Sequence, residues 1–337
     1  MGHSEAPKDS FGESLRGSLV RPVLYATFFE LLIECMAFNW QTFKTRTLTA
    51  AVFVVVMLAG LLINRWTFLI LLSIIHFGCW SEYLKLIEKI RRIRVHHYLE
   101  YGLMLIGFGL MLWFCQPAYQ IDGYKFGERL SLPLSAAGVA LLLVGIFQKE
   151  KIAFESFMVS FLGLLYISVP LGLMMNLYAK ADIYSNYRLT TDIRLHDAVF
   201  VVVPYFYPIA IIASIWINDT MAYVIGSLIG KTQMTKISPK KTWEGTVGGI
   251  VLSASVIFLL AYYLLHLEIL SYALTMLATI ASVTGTFGDL LESKLKRMAT
   301  VKDSGHIMPG HGGFLDRFDS LLVATPFVWL YIYFFMT

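Results

Sequence analysis

Runs of about 20 consecutive apolar residues recur along this chain, and their length constrains it more than any other feature. An α-helix rises 1.5 Å per residue, so about 20 residues cross a hydrocarbon core of about 30 Å. Lipid offers no partner to a free amide, so such runs must be helical. They are too long and too unalternating for barrel strands. Of the 337 residues, 57% are hydrophobic and 15% charged, with a mean hydropathy of +0.65. A soluble domain carries about 25% charged residues. The predicted fold class is therefore an all-α polytopic membrane protein.

The pattern predicts about nine transmembrane helices, near 47–64, 66–84, 98–117, 131–148, 156–178, 197–217, 246–265, 267–288 and 316–336. Residues 22–40 are apolar but interrupted by Glu30 and Glu34, which suits an amphipathic interfacial helix better than a span. Residues 219–230 are apolar and too short to cross, so they are re-entrant, interfacial or an extension of the sixth span. Three regions follow: a cytoplasmic or interfacial segment at 1–46, a transmembrane scaffold at 47–196, and a catalytic transmembrane region at 197–337. With the N-terminus in the cytoplasm, 20 of the 27 Lys and Arg fall in inside segments and 6 in outside ones. That asymmetry is the positive-inside signal. It puts the loops 218–245 and 289–315 on the cytoplasmic face, and any active site with them. The chain is then a multi-pass protein of the cell (inner or cytoplasmic) membrane.

Other function classes lose support. A formal charge of +4 with no basic tail gives no reason to expect nucleic acid. Cys35, Cys79 and Cys115 are scattered in apolar stretches and read as small buried hydrophobes. The polar first 20 residues do not look like a cleavable signal. His76, His96, His97, His196 and His266 show no metal-ligand spacing. Lys85 to Arg94 read as a topology-setting loop or a contact for anionic lipid.

Chemistry concentrates in the last third. If 289–298 is helical, Asp289, Glu292, Ser293 and Lys296 share one face. Asp316 and Asp319 lie one turn apart where the last span begins, an end the helix dipole makes favourable for acids. Carboxylates suit a hard divalent cation such as Mg²⁺, and neighbouring cations suit a polyphosphate. Gly310, Gly312 and Gly313 let backbone amides approach a phosphate closely. Lys231, Lys236, Lys240, Lys241, Thr242 and Glu244 form a second phosphate-facing wall, and Asp219, just after span six, is a third source of carboxylate. Spacing alone thus points to a phosphorylated substrate with metal at a membrane interface, without naming the substrate. Gly226/Gly230 and Gly245/Gly249 have the small-xxx-small spacing of close helix packing.

The stretch Ser293 to Asp319 resembles the signature of the phosphatidate cytidylyltransferase (CDP-diacylglycerol synthase) family. It matches at Ser293, Lys296, Arg297, Lys302, Asp303, Ser304, Gly305, Pro309, Gly310, His311, Gly312, Gly313, Asp316, Arg317 and Asp319. Gly288-Asp289-Leu290, Asp219 to Tyr223 and Ser238 to Gly245 are similar to further family segments. The resemblance covers about 215–325. Two departures stand out: Met308 replaces a usual Ile, Leu or Phe, and Ser227 stands where an Arg is expected. The resemblance implies that CTP and phosphatidate give CDP-diacylglycerol and pyrophosphate, by attack of the lipid phosphate on the α-phosphorus of CTP. It implies Asp289 and Asp316 as leading Mg²⁺ ligands, with Asp219 and Asp319 secondary and room for a second cation. Catalytic candidates are Asp289, Asp316, Lys296, Arg297, Lys302, Asp303, His311, Arg317 and Asp319. Substrate-binding candidates are Lys240, Lys241, Ser238, Asp219, Gly312 and Gly313. Membrane lipid is the implied surrounding partner, and a homodimer is compatible with the sequence. His311 and Asp303 have alternative readings as braces of the loop, and Glu292 as an i,i+4 partner of Lys296. The remaining rivals are a CTP-dependent kinase of a polyprenol-type alcohol, a cytidylyltransferase for an isoprenoid ether lipid, and a non-catalytic lipid-binding or transport protein.

Overall fold

The computed structural model describes residues 40–92, 94–115, 119–121, 124–147, 154–190, 205–305 and 312–336. Among these the chain is almost wholly helical. In order come α1 (Trp40–Leu62), α2 (Arg65–Arg91), α3 (His97–Trp113), α4 (Phe126–Ile146), α5 (Phe154–Gly163), α6 (Val169–Thr190), α7 (Phe206–Ile229), α8 (Trp243–Leu259), α9 (Glu268–Met298) and α10 (Leu315–Phe335). A π-helical turn, Leu164–Ser168, joins α5 to α6, and another, Leu260–Leu264, extends α8. The exception is a two-residue antiparallel pair, β1 (Gln120–Ile121) with β2 (Tyr124–Lys125).

Helix ends follow local chemistry. The Asn64 side chain accepts from the Trp66 and Thr67 amides at 2.8 and 2.9 Å, closing a capping box at the start of α2. Thr242 Oγ1 accepts from the Gly245 amide at the start of α8. Both caps sit where polar residues meet an apolar run.

Among the described residues, six helices are long and apolar enough to cross a membrane: Arg65–Arg91, Phe157–Ala179, Phe206–Ile229, Trp243–Leu264, Leu270–Met298 and Leu315–Phe335. The predicted spans 47–64 and 131–148 fall on the shorter apolar stretches Thr47–Leu62 and Arg129–Gly145, and 98–117 falls on the 17-residue α3. The helices that carry the first two stretches, α1 and α4, have 23 and 21 residues and rise about 32–35 Å, while the 17 residues of α3 rise about 26 Å, short of a full hydrocarbon core. Residues 219–230 belong to α7, continuous to Ile229, so Asp219 lies inside a helix rather than after one. The interfacial reading of 22–40 lies outside the described residues.

Polarity is inverted in the way a bilayer demands. Ile70, Ile74, Leu143, Leu165, Val251 and Phe334 face outward, while Glu82, Asn218, Thr286, Glu292 and Asp319 are buried. An apolar surface over a partly polar interior suits lipid and not water. The chain is a multi-pass membrane protein.

Two close helix contacts position the site. A Cβ on Gly249 would stand 2.7 Å from the Asn218 carbonyl oxygen, and one on Gly245 would stand 2.6 Å from that of Ala222. These glycines let α8 lie directly on the α7 backbone, as small-xxx-small spacing predicts. Likewise a Cβ on Gly288 would stand 2.5 Å from the Asp319 carbonyl oxygen, so α9 and α10 touch where their acids face each other.

Candidate active site

Three carboxylates converge where α9 meets α10. Oxygens of Asp289, Glu292 and Asp319 lie within 4.8 Å of one another. Glu292 is fully buried and Asp319 nearly so. The i, i+3 spacing of Asp289 and Glu292 puts both on the face of α9 that Gly288 presses against α10. Asp319 Oδ1 accepts its neighbour's amide, Ser320 N, at 2.6 Å. Lys296 Nζ forms an ion pair with Glu292 Oε2 at 2.5 Å. Lys296 is therefore the charged partner of Glu292 among the described residues. A buried carboxylate cannot remain so unless charge compensates it. Three convergent carboxylates with a single lysine among them offer oxygen-only donors that fit a hard divalent cation held by Asp289, Glu292 and Asp319.

Lys296 also donates to Asp316 Oδ1 at 2.6 Å, joining α9 to the first turn of α10. The second Asp316 oxygen accepts from the amides of Ser304 (2.9 Å) and Gly313 (2.8 Å) and meets the Ser304 hydroxyl at 2.9 Å. Asp316 is thus taken up in ordering the loop between α9 and α10, and it lies outside the convergent three. Gly312 adopts φ +81°, where a side chain is strained, and a Cβ there would also stand 2.6 Å from Asp316 Oδ2.

Asp219, on α7, lies between two cavities. One, of about 350 Å³, is lined by Asn218, Asp219, Ser238, Lys240, Lys241, Thr286 and Asp289, among others. The other, of about 140 Å³, is lined by Asp219, Asp316, Arg317 and Asp319 together with the apolar Phe53, Met57, Ile212 and Trp216. The Lys241 ammonium pairs with Asp289 Oδ2 across the first cavity. The segment carrying Lys240 and Lys241 is held by its backbone: Met234 N donates to Lys241 O (2.9 Å) and Trp243 N to Thr232 O (3.0 Å). Glu244 closes it, accepting from the Lys231 and Thr232 amides at 3.1–3.2 Å. Glu244 is therefore a brace for the basic loop.

Of the residues the sequence singles out, the fold brings Asp219, Asp289, Asp319, Lys241 and Lys296 around these cavities, with Ser238 and Lys240 on the wall. Arg317 is exposed and lines the smaller cavity. Arg297, Lys302 and Asp303 are exposed, and Arg297 donates to the Val301 carbonyl at 3.4 Å. His311 and Gly310 lie outside the described residues. Ser227 is exposed and donates to the Val224 carbonyl of its own helix at 2.8 Å.

Sequence reasoning missed Glu82. It assigned the first 200 residues to scaffold, yet Glu82 of α2 is buried against the signature loop and accepts from Ser304 Oγ at 2.6 Å and from the amides of Phe314 and Leu315 at 2.9 Å each. A carboxylate inside an otherwise apolar run was the available signal, because such residues default to function.

Helices of membrane-crossing length that close around buried carboxylates and a cation-lined cavity are what a membrane enzyme working on phosphate groups requires. Comparison with known proteins makes the class definite. The model of the Cytidylyltransferase family matches residues 44–335, and the chain belongs to that family, which makes it a nucleotidyltransferase. Among similar curated proteins, one from Bacillus subtilis (strain 168), named phosphatidate cytidylyltransferase, is 31% identical over 291 residues, covering 85% of this chain and 96% of its own. A protein of the same name from Haemophilus influenzae is 30% identical over 316 residues, covering 87% and 99%. Over 122 residues the identity to one from Synechocystis rises to 45%, covering 36% of this chain and 41% of that protein.

Proposed function

We propose that this chain joins CTP to phosphatidate, forming CDP-diacylglycerol and pyrophosphate for phospholipid biosynthesis. The observation that carries this is the alignment of nearly the whole length of two phosphatidate cytidylyltransferases with it. The site's chemistry supports it. The lipid phosphate is already anionic, so the reaction needs no strong base; it needs two anions brought together. Lys240, Lys241 and Ser238 line the larger cavity and suit the CTP phosphates. The smaller cavity pairs acids and Arg317 with an apolar wall, as a lipid headgroup and the start of its chains would want.

Asp289, Glu292 and Asp319 would hold the cation, with Asp219 adjacent and Asp316 ordering the loop beside them. Mg²⁺ there would neutralise charge on the phosphate oxygens. Lys296 keeps Glu292 and Asp316 compensated, and Lys241 is released from Asp289 to a phosphate. Arg297, Lys302 and Arg317 remain as outer phosphate contacts. We place nine spans in the cell membrane, with the N-terminus and both motif loops cytoplasmic, and allow a homodimer.

Purified protein supplied with labelled CTP, phosphatidate and Mg²⁺ should yield CDP-diacylglycerol and pyrophosphate. Release of CDP instead would identify a kinase, and no product with any divalent cation would sink the proposal.

A further inference from the structure

We propose that Glu82 is a positioning residue for the reaction: from a helix outside the signature region, it seats Ser304 and the segment Gly313–Leu315 that leads into Asp316 on the first turn of α10. The kinetic part of this rests on the cytidylyl-transfer reading; the structural part does not.

Three observations carry it. The first is where the carboxylate's hydrogen bonds go. Glu82 is 3% exposed, and a buried carboxylate must be hydrogen-bonded. Among the described residues its donors all come from the signature: Ser304 Oγ to Oε2, Phe314 N to Oε1 and Leu315 N to Oε2. The two amides belong to the start of α10, which has no cap from the Phe314 side chain. Glu82 therefore supplies in trans the negative charge that a helix N-terminus favours.

The second observation is steric. A Cβ at either Gly305 or Gly313 would run into the Glu82 carboxylate. One turn before it, a Cβ at Gly78 would run into the Phe314 ring. So α2 offers a face built to receive the loop, with Gly78 opening a seat for the ring and Glu82 binding the amides next to it. Two signature glycines are explained by the side chain they leave room for, 231 residues or fewer upstream.

The third is connection to the charged centre. The Ser304 hydroxyl stands between Glu82 Oε2 (2.6 Å) and Asp316 Oδ2 (2.9 Å). Asp316 then holds Lys296, and Lys296 contacts Glu292. Moving the loop off Glu82 displaces Asp316 and, through it, the lysine that compensates the buried acids. Glu82 touches none of the cavities' lining, so its effect runs through these residues.

The test compares Glu82→Gln and Glu82→Ala with the unaltered full chain in lipid vesicles. Glu82→Ala is expected to lower kcat about 30-fold, the scale set by losing charge-assisted hydrogen bonds, while KM for CTP changes less than about threefold. Glu82→Gln keeps one acceptor and should fall between. Amide exchange should speed at Ser304 and at 313–315, with 97–146 unchanged. Gly305→Ala should resemble Glu82→Ala, and the double variant should cost little more than either single. Unchanged exchange at the loop would overturn the proposal, as would unchanged kcat, or a general speeding of exchange across the chain. Should the unaltered chain form no CDP-diacylglycerol, the reaction assignment falls, and the exchange comparison alone decides whether Glu82 seats the loop.

Discussion

At the scale of single residues, the site contains two kinds of ion pair that substitution should separate. Lys296, Glu292 and Asp316 are 13%, 0% and 10% exposed, so removing the lysine strands buried charge. Lys296→Met is expected to cost about 3 kcal/mol of stability along with activity. Adding Glu292→Gln should restore much of the melting temperature without restoring turnover. Lys241 and Asp289 are 24% and 32% exposed, and such pairs contribute about 1 kcal/mol or less. Asp289→Asn should therefore leave the thermal midpoint nearly unchanged while lowering turnover about 100-fold or more. A large drop in melting temperature for Asp289→Asn would make it structural instead. That Asp289, Glu292 and Lys296 share one helix face was legible because their spacing is short-range. Glu82 was not, since its partners lie 222 to 233 residues away and no local periodicity reports such a pairing.

At the scale of elements, backbone proximity between helices holds the acids in register. A methyl on Gly249 meets the carbonyl of Asn218, which cannot rotate away as a side chain can. Gly249→Ala should force α7 off α8, at about 1–3 kcal/mol, and carry Asp219 away from Asp289. Gly285 is the contrast. A Cβ there has no neighbour nearer than 3.5 Å, so Gly285→Ala should be tolerated or gain up to about 1 kcal/mol of helix propensity. Thermal unfolding of the two variants in one detergent decides the matter; equal losses would refute the packing account. Helix type and most boundaries could be read from apolar run length. The marginal length of α3 could not, because 17 apolar residues satisfy a hydropathy pattern before they satisfy a bilayer's thickness. Asp219 was misplaced for the same reason: its charge broke the apolar pattern, while the helix itself continued to Ile229.

At the scale of the whole molecule, the distribution of Lys and Arg predicts that residues 235 and 305 face the cytoplasm. A single-cysteine reporter at either position should label only after the inner face is exposed, and labelling of intact cells would reject the orientation. The pairing of α2 with the signature loop also has a meaning in time. A ribosome adds about 5–20 residues per second, so α2 is made some 10–45 seconds before the amides that satisfy Glu82. Until then the nascent membrane protein carries an acid in α2 with no motif amide to receive. A helix made late, α10, thus completes the environment of α2, made long before it, and a chain released before α10 would be left with that acid unmatched.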